Sequence, residues 1–188
     1  MAVIGSAESS SVAKAGSAET WVVLGALTLG WTLGFVGNFL PEGAMKLGFW
    51  VLSSIGLMTG ATLLAIRHVT ANVMLSAGLM LLVVGETVVH SQGPGGADAF
   101  AAATYAYFPG LLLVALSGWG PLWMRLAALV SALAFVAHAS SHVLGGAPAP
   151  DGPLAGTGYA FLTLTVIGWT WVVSRQWGRP PVRRPTEV

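Results

Sequence analysis

The chain has 188 residues, of which 55% are hydrophobic and only 8% are charged. A soluble domain carries about 25% charged residues, so this composition excludes an ordinary water-soluble particle and indicates a polytopic membrane protein. The net charge of +1 provides no basic face to neutralise phosphates, which argues against a nucleic-acid-binding protein. Because the chain has no cysteine, disulfide scaffolds and thiolate metal sites are excluded as well.

The first predicted element is a flexible tail, residues 1–20, which is rich in Ala and Ser and does not resemble a signal peptide. Crossing a bilayer core of about 30 Å takes roughly 20 apolar residues per helix. Stretches that meet this requirement are residues 21–40, 47–66, 71–90, 100–118, 122–144 and 154–174. A basic Pro/Arg tail, residues 177–188, ends the chain. The sequence therefore predicts an all-α integral membrane protein, with residues 21–176 forming one compact bundle of six transmembrane helices.

The breaks between these stretches are short and rich in Pro and Gly, which favours antiparallel neighbours joined by tight loops. The first two spans also carry glycines four residues apart, at Gly30 and Gly34 and at Gly56 and Gly60. This spacing lets membrane helices approach closely. We expect these glycines to pack within the chain, the alternative being a seam between two copies.

The basic residues predict which side of the membrane each loop faces. With six spans, both termini lie on one side. That side collects Lys14, Arg67, Arg125, Arg175, Arg179, Arg183 and Arg184. The other side has only Lys46 among the basic residues. We therefore expect a multi-pass protein of the cytoplasmic (inner) membrane with both termini in the cytoplasm.

Ionisable side chains inside membrane spans are costly, so each one is a functional candidate. The third span carries Glu86 and His90, and the fifth carries His138 and His142. Each pair is spaced four residues apart, which places its two side chains on one helix face. Both spans run outward, and the two pairs lie at matched depth near the outer leaflet. If the two helices face each other, three imidazoles and one carboxylate converge.

A cluster of Glu86, His90, His138 and His142 has the ligand types of a zinc, copper or iron site. His90, His138 and His142 are also candidate axial ligands of a b-type haem, which needs two imidazoles from different helices. The remaining alternatives are a proton relay or quinone contact, and a purely structural role with one Glu86–His138 hydrogen bond.

Depth along the spans also predicts where other polar residues lie. We expect Asn38, Tyr105 and Tyr107 to surround the Glu/His cluster at the outer ends of the spans. His68 falls on the opposite side, where we expect an exposed loop residue.

The sequence leaves the function open between three classes. The first is a metal- or haem-binding membrane protein for electron transfer, metal handling or metal-assisted oxidation. The second is a non-catalytic accessory subunit or assembly factor, since the chain has no sizeable soluble part to carry chemistry. The third is a small transporter. The expected partners are the lipid bilayer and other membrane subunits or further copies of the chain.

Overall fold

The computed structural model describes residues 5–91, 97–145 and 152–177, with side chains placed for residues 18–89, 100–145 and 152–175. Within these ranges all regular secondary structure is helical, and there is no strand. The helices, in chain order, are α1 (Gly5–Gly37), α2 (Ala44–His68), α3 (Val73–Ser91), α4 (Ala97–Leu116), α5 (Leu122–Val143) and α6 (Pro153–Trp177). The prediction of six helices is confirmed.

The helix ends lie within three residues of the predicted ones, apart from the start of α1. That helix begins at Gly5, so the described part of the predicted 1–20 tail is helical. The physical reason is local, because Ala, Glu and Lys are good helix formers and no proline interrupts them here. Most of the C-terminal tail, residues 178–188, lies outside the described residues.

Local chemistry explains several helix ends. Asn72 accepts a hydrogen bond from the Leu75 amide at 3.0 Å through its side-chain oxygen, which caps the start of α3. The same side chain donates from Nδ2 to the Ser117 carbonyl at 3.0 Å and so ties the α2–α3 turn to the α4–α5 loop. Pro121 precedes α5, in the region of a helix start where proline is well tolerated.

The six helices form a closed ring in which each packs on its two neighbours in sequence and α1 packs on α6. Among the described residues, no other pair of helices brings Cα atoms within 8 Å of each other. The expected contact between the third and fifth spans is therefore wrong, because α4 lies between α3 and α5. Short loops make each helix the neighbour of the next, and this rule prevails over the matched depth of the polar residues.

Large side chains fill the space along the axis of the ring. Trp169 of α6, Tyr107 of α4 and Phe135 of α5 are the bulkiest fully buried residues. Neighbouring helix axes lie about 8–10 Å apart, so a ring of six leaves a central gap that small residues would not fill. The sequence meets this need with aromatic residues pointing inward from three helices.

Glycines bring α1 and α2 into direct backbone contact. A Cβ atom at Gly56 would stand 2.6 Å from the Ala26 carbonyl oxygen and 2.8 Å from the Gly30 amide nitrogen. Ser53 adds a hydrogen bond across the seam, from Oγ to the Gly30 carbonyl oxygen at 2.6 Å. The close-packing role expected of these glycines within the chain is confirmed.

Within the described residues, four helices are long and apolar enough to cross a membrane. By length and composition these segments are Ala18–Gly37, Ala44–His68, Leu122–Val143 and Pro153–Arg175. The described apolar parts of α3 and α4 are shorter, Val73–Val89 and Phe100–Leu116. Large apolar side chains such as Trp21, Phe35 and Leu133 stay exposed on the outside of the ring, a surface compatible with lipid contact.

Candidate functional site

The structure separates two of the predicted site residues. His138 is buried, as expected, with only 1% of its surface exposed. Its ring packs edge-on against Phe100 of α4, with centroids 5.0 Å apart, rather than against Glu86. Among the described side chains, Glu86 and His138 form no ion pair within 4.0 Å. His138 therefore packs on α4 and has no ion pair with Glu86 among the described side chains.

The other two predicted ligands lie toward the ends of their helices. His142 is half-buried on α5 and lies within electrostatic reach of His138, one turn away. The backbone of His90 belongs to α3, and its side chain lies outside the described residues. No group of three His, Cys, Asp or Glu side chains able to hold a metal ion occurs in the part of the chain that the structure describes.

Of the residues expected in the surrounding layer, only Tyr107 lies near Glu86. Asn38 instead accepts a hydrogen bond from the Trp50 indole at 3.2 Å, and Tyr105 is exposed. His68, expected as an exposed loop residue, is the half-buried last residue of α2. Its ring packs on Trp119 with centroids 5.3 Å apart.

Glu86 itself lies in the interior of the ring, with 8% of its surface exposed. The Ser54 hydroxyl of α2 donates a hydrogen bond to Glu86 Oε2 at 2.8 Å. This bond links two neighbouring helices through polar side chains within otherwise apolar sequence. A buried carboxyl group needs such donors when it is charged, because it has lost its hydration.

The Tyr107 ring lies beside Glu86 because residue 85 is a glycine. A Cβ atom at Gly85 would stand 2.7 Å from Tyr107 Cε1 and 2.8 Å from Cδ1, so only glycine leaves room for the ring. The Tyr107 hydroxyl comes within electrostatic reach of Glu86 and of Tyr159 on α6. Only 1% of the Tyr107 surface is exposed, so its hydroxyl group depends on these two neighbours rather than on bulk water.

Tyr159 completes the cluster from the far side of the ring. Its own ring packs edge-on against Phe135 at 5.2 Å and lies 5.9 Å from Phe100. Phe135 in turn contacts the Tyr107 ring at 5.0 Å. These aromatic contacts fix both phenols, so that their hydroxyl groups and the Glu86 carboxylate meet inside the bundle. We call Ser54, Glu86, Tyr107 and Tyr159 the Glu86 cluster.

A small cavity adjoins the Glu86 cluster near the axis of the ring. It is lined by α2, α3, α4 and α6, and its walls include Glu86, Tyr107 and Trp169. The remaining walls are apolar, among them Leu57 and Val166. The Trp169 indole nitrogen is fully buried and has no hydrogen-bond partner among the described residues. Glu86, Tyr107 and Trp169 adjoin this cavity, but the surface that faces it is apolar.

This arrangement suits a group that changes its protonation state. A carboxylate only accepts hydrogen bonds, whereas a carboxylic acid also donates one. Hydroxyl groups rotate and can serve as donor or acceptor, so Ser54 and the two tyrosines can match either form of Glu86. A fixed cation would match only the charged form.

Sequence reasoning identified Glu86 and Tyr107 but missed Ser54, Tyr159, Trp169 and Gly85. Ser54 and Gly85 are small residues in apolar runs, where nothing in the sequence marks them. The sequence marks Tyr159 and Trp169 only as members of the sixth span. The sequence offers one signal for the hydroxyl residues of this group: a carboxylate inside a span needs hydrogen-bond donors close by.

Comparison of the chain with models of protein families, with curated proteins and with solved structures finds no match.

Proposed function

We propose that the chain is an integral membrane protein whose six helices all cross the bilayer, with both termini in the cytoplasm. Four helices of sufficient length and the apolar exterior of the ring support this proposal. Since α3 and α4 are packed between longer helices in the closed ring, they run through the same layer. The basic residues Arg67, Arg125 and Arg175 fall on the proposed cytoplasmic side, in line with the positive-inside rule.

The function proposed for this bundle is proton transfer, with Glu86 as the group that takes up and releases the proton. The observation that carries the proposal is the burial of Glu86 in the ring, bonded to Ser54 at 2.8 Å and close to two tyrosine hydroxyls. A carboxyl group inside a membrane bundle is costly and is retained where it performs a task. Such carboxyl groups mark proton relays in pumps and transporters.

The proton step itself needs only residues of this chain. The Glu86 carboxylate binds one proton and becomes a neutral carboxylic acid, which removes a charge from the apolar interior. The Ser54 hydroxyl, which donates to the carboxylate, rotates and accepts a hydrogen bond from the acid instead. Release of the proton reverses both changes. The cluster thus stabilises both states of Glu86 without moving a helix.

Proton flux into liposomes tests this function. Purified protein is reconstituted with an internal pH-sensitive dye, and an inward proton gradient is applied. We expect flux above that of empty liposomes for the wild type and at least a tenfold loss in Glu86→Gln. The matched control is Glu42→Gln, because Glu42 is exposed in the α1–α2 loop, where it pairs with Lys46. Equal flux in Glu86→Gln and wild type would overturn the proposal.

A metal or haem centre is the second candidate, and the His138–His142 pair on one face of α5 is the observation that favours it. It has less support than proton transfer, because His138 packs on Phe100 and has no ion pair with Glu86 among the described side chains. Elemental analysis and an absorption spectrum test it directly. A bound centre predicts that His138→Ala lowers metal or haem content while His68→Ala does not. Protein free of metal and haem after reconstitution would exclude it.

A further inference from the structure

Tyr107 is the middle member of a row of three hydrogen-bonding side chains. Side-chain hydrogen bonds join its hydroxyl group to Glu86 on one side and to Tyr159 on the other. A phenol hydroxyl group can donate one hydrogen bond and accept another, so it can serve both neighbours at once. The row crosses the interior of the ring from α3 through α4 to α6, and each of these helices provides one group.

Aromatic packing holds the two tyrosines in this row. Phe135 of α5 contacts both phenol rings, with its centroid 5.0 Å from that of Tyr107 and 5.2 Å from that of Tyr159. Phe135 is itself fixed against α6, because a Cβ atom at Gly158 would stand 2.7 Å from its ring. Since protein interiors are close-packed, neither phenol can turn away without displacing Phe135.

Tyr159 is the least buried member of the row. Glu86 is 8% exposed and Tyr107 is 1% exposed, whereas Tyr159 is half-buried. Tyr159 follows Pro153, the first residue of α6, by six residues, which is about 9 Å along the helix. In the proposed orientation this is the outer end of α6. The row therefore runs from the outer part of the bundle to the buried carboxyl group.

Toward the cytoplasmic end, the interior beside Glu86 is apolar. On α6 the wall of the cavity begins at Leu162, about one turn beyond Tyr159, and continues to Trp169. The surface that faces this cavity is apolar, so it has no donor or acceptor to carry a proton. Ser54 bonds Glu86 from α2, and no further hydrogen bond of its hydroxyl group occurs among the described residues. The hydrogen-bonded route from Glu86 therefore leads through the two tyrosines.

We propose that Tyr159 and Tyr107, in that order, carry protons from the outer side of the membrane to Glu86. This inference rests on the proposed function. A hydronium ion of the outer aqueous phase gives a proton to the Tyr159 oxygen. Tyr159 passes its own hydroxyl proton to Tyr107, and Tyr107 passes its own to the Glu86 carboxylate. At each phenol oxygen one O–H bond forms as another breaks, so the products are water, two neutral tyrosines and a carboxylic acid.

The chemistry of the phenol suits a relay inside an apolar bundle. Each tyrosine is neutral before and after the transfer, so the relay places no additional charge in the interior, where an unpaired charge is costly. Both hydroxyl groups then rotate back before the next proton arrives, which needs no movement of the packed rings. A relay of this kind changes the rate at which Glu86 is protonated and leaves its final extent unchanged.

Replacing each tyrosine with phenylalanine tests the relay, because the ring stays and only the hydroxyl group is lost. In the liposome assay we expect at least a tenfold loss of proton flux in Tyr107→Phe and in Tyr159→Phe. The matched control is Tyr105→Phe, the third tyrosine of the chain, which lies on α4 with 42% of its surface exposed. We expect wild-type flux in this control.

The infrared C=O band of the Glu86 carboxylic acid separates a relay from a structural role. After a proton gradient is applied, we expect the band to appear at least tenfold more slowly in Tyr159→Phe than in wild type. It should reach the same final height, because the relay affects only the rate. A band that appears at the wild-type rate, or that ends at a reduced height, overturns the relay.

The flux results also separate the relay from the proposed function. Wild-type flux in Tyr107→Phe or Tyr159→Phe, with Glu86→Gln still inactive, overturns the relay and leaves the function in place. Wild-type flux in Glu86→Gln overturns both. Should a variant fail to fold, a high-resolution structure of the wild type decides. We expect the Tyr107 hydroxyl oxygen within about 3.0 Å of a Glu86 carboxylate oxygen and of the Tyr159 hydroxyl oxygen; a wider gap at either contact overturns the relay.

Discussion

Gly85 and Tyr107 lie in such close contact that a single methyl group on Gly85 would stand 2.7 Å from the tyrosine ring. Gly85 directly precedes Glu86 on α3. The same helical turn therefore provides the space for the Tyr107 ring and the carboxylate that the Tyr107 hydroxyl group faces. Tyr107 belongs to α4, on the opposite side of this contact. The α3–α4 seam therefore determines the geometry of the Glu86 cluster.

Replacing Gly85 with Ala should disturb the Glu86 cluster. The new methyl group pushes the Tyr107 ring away from Glu86, and overpacking of this kind costs about 1–3 kcal/mol. We expect a lower melting temperature and reduced proton flux. Gly48→Ala is the control, because a Cβ atom there meets nothing within 4 Å. Wild-type flux and stability in Gly85→Ala would show that the ring can move without consequence.

Ser54→Ala removes the hydroxyl that bonds Glu86 Oε2. Hydrogen bonds in membrane proteins contribute about 0.6 kcal/mol on average. A bond to a charged group contributes about 1.5–3 kcal/mol. If Glu86 is ionised, we expect Ser54→Ala to lower the free energy of unfolding by the larger of these two amounts, measured in a denaturing detergent series. Ser141→Ala serves for comparison, because that hydroxyl bonds only a carbonyl of its own helix. Equal small losses in both variants would argue against an ionised Glu86.

The α1–α2 seam offers a prediction that is independent of the cluster. Gly56→Ala places a methyl group 2.6 Å from the Ala26 carbonyl oxygen, where only backbone can give way. We expect the two helices to separate and the melting temperature to fall. Gly48→Ala on the same helix should leave stability unchanged or raise it, because Ala favours a helix by about 1 kcal/mol. A neutral Gly56→Ala would contradict the close approach.

The fold was predictable from the sequence as far as its helices, because apolar stretches and Pro/Gly breaks mark their ends. Gly30 and Gly56 also predicted the close α1–α2 seam. The order of the helices around the ring was not part of the sequence prediction. Depth along the spans matched Glu86 with His138, but depth does not show which side chain packs on His138, and that side chain is Phe100 of α4. Ser54 and Trp169 could not be predicted as site residues, because their roles depend on which helices share the interior.

The proposed orientation can be tested with single cysteines, since the chain has none of its own. Glu42 lies in the α1–α2 loop, and Arg67 lies at the opposite end of α2. We expect a membrane-impermeant thiol reagent to label Glu42→Cys in intact cells and Arg67→Cys only after the membrane is opened. Both side chains are exposed enough to react, with 84% and 37% of their surface accessible. The reverse labelling pattern would place the termini outside.

The most direct measurement of the central claim is the infrared spectrum of the Glu86 carboxyl group in reconstituted protein. A protonated carboxylic acid gives a C=O stretching band that the carboxylate lacks, and the band shifts in heavy water. We predict a C=O band that appears when an inward proton gradient is applied, shifts in heavy water, and is missing from Glu86→Gln but retained in Glu42→Gln. Spectra in which wild type and Glu86→Gln are identical at every pH would contradict proton exchange at Glu86.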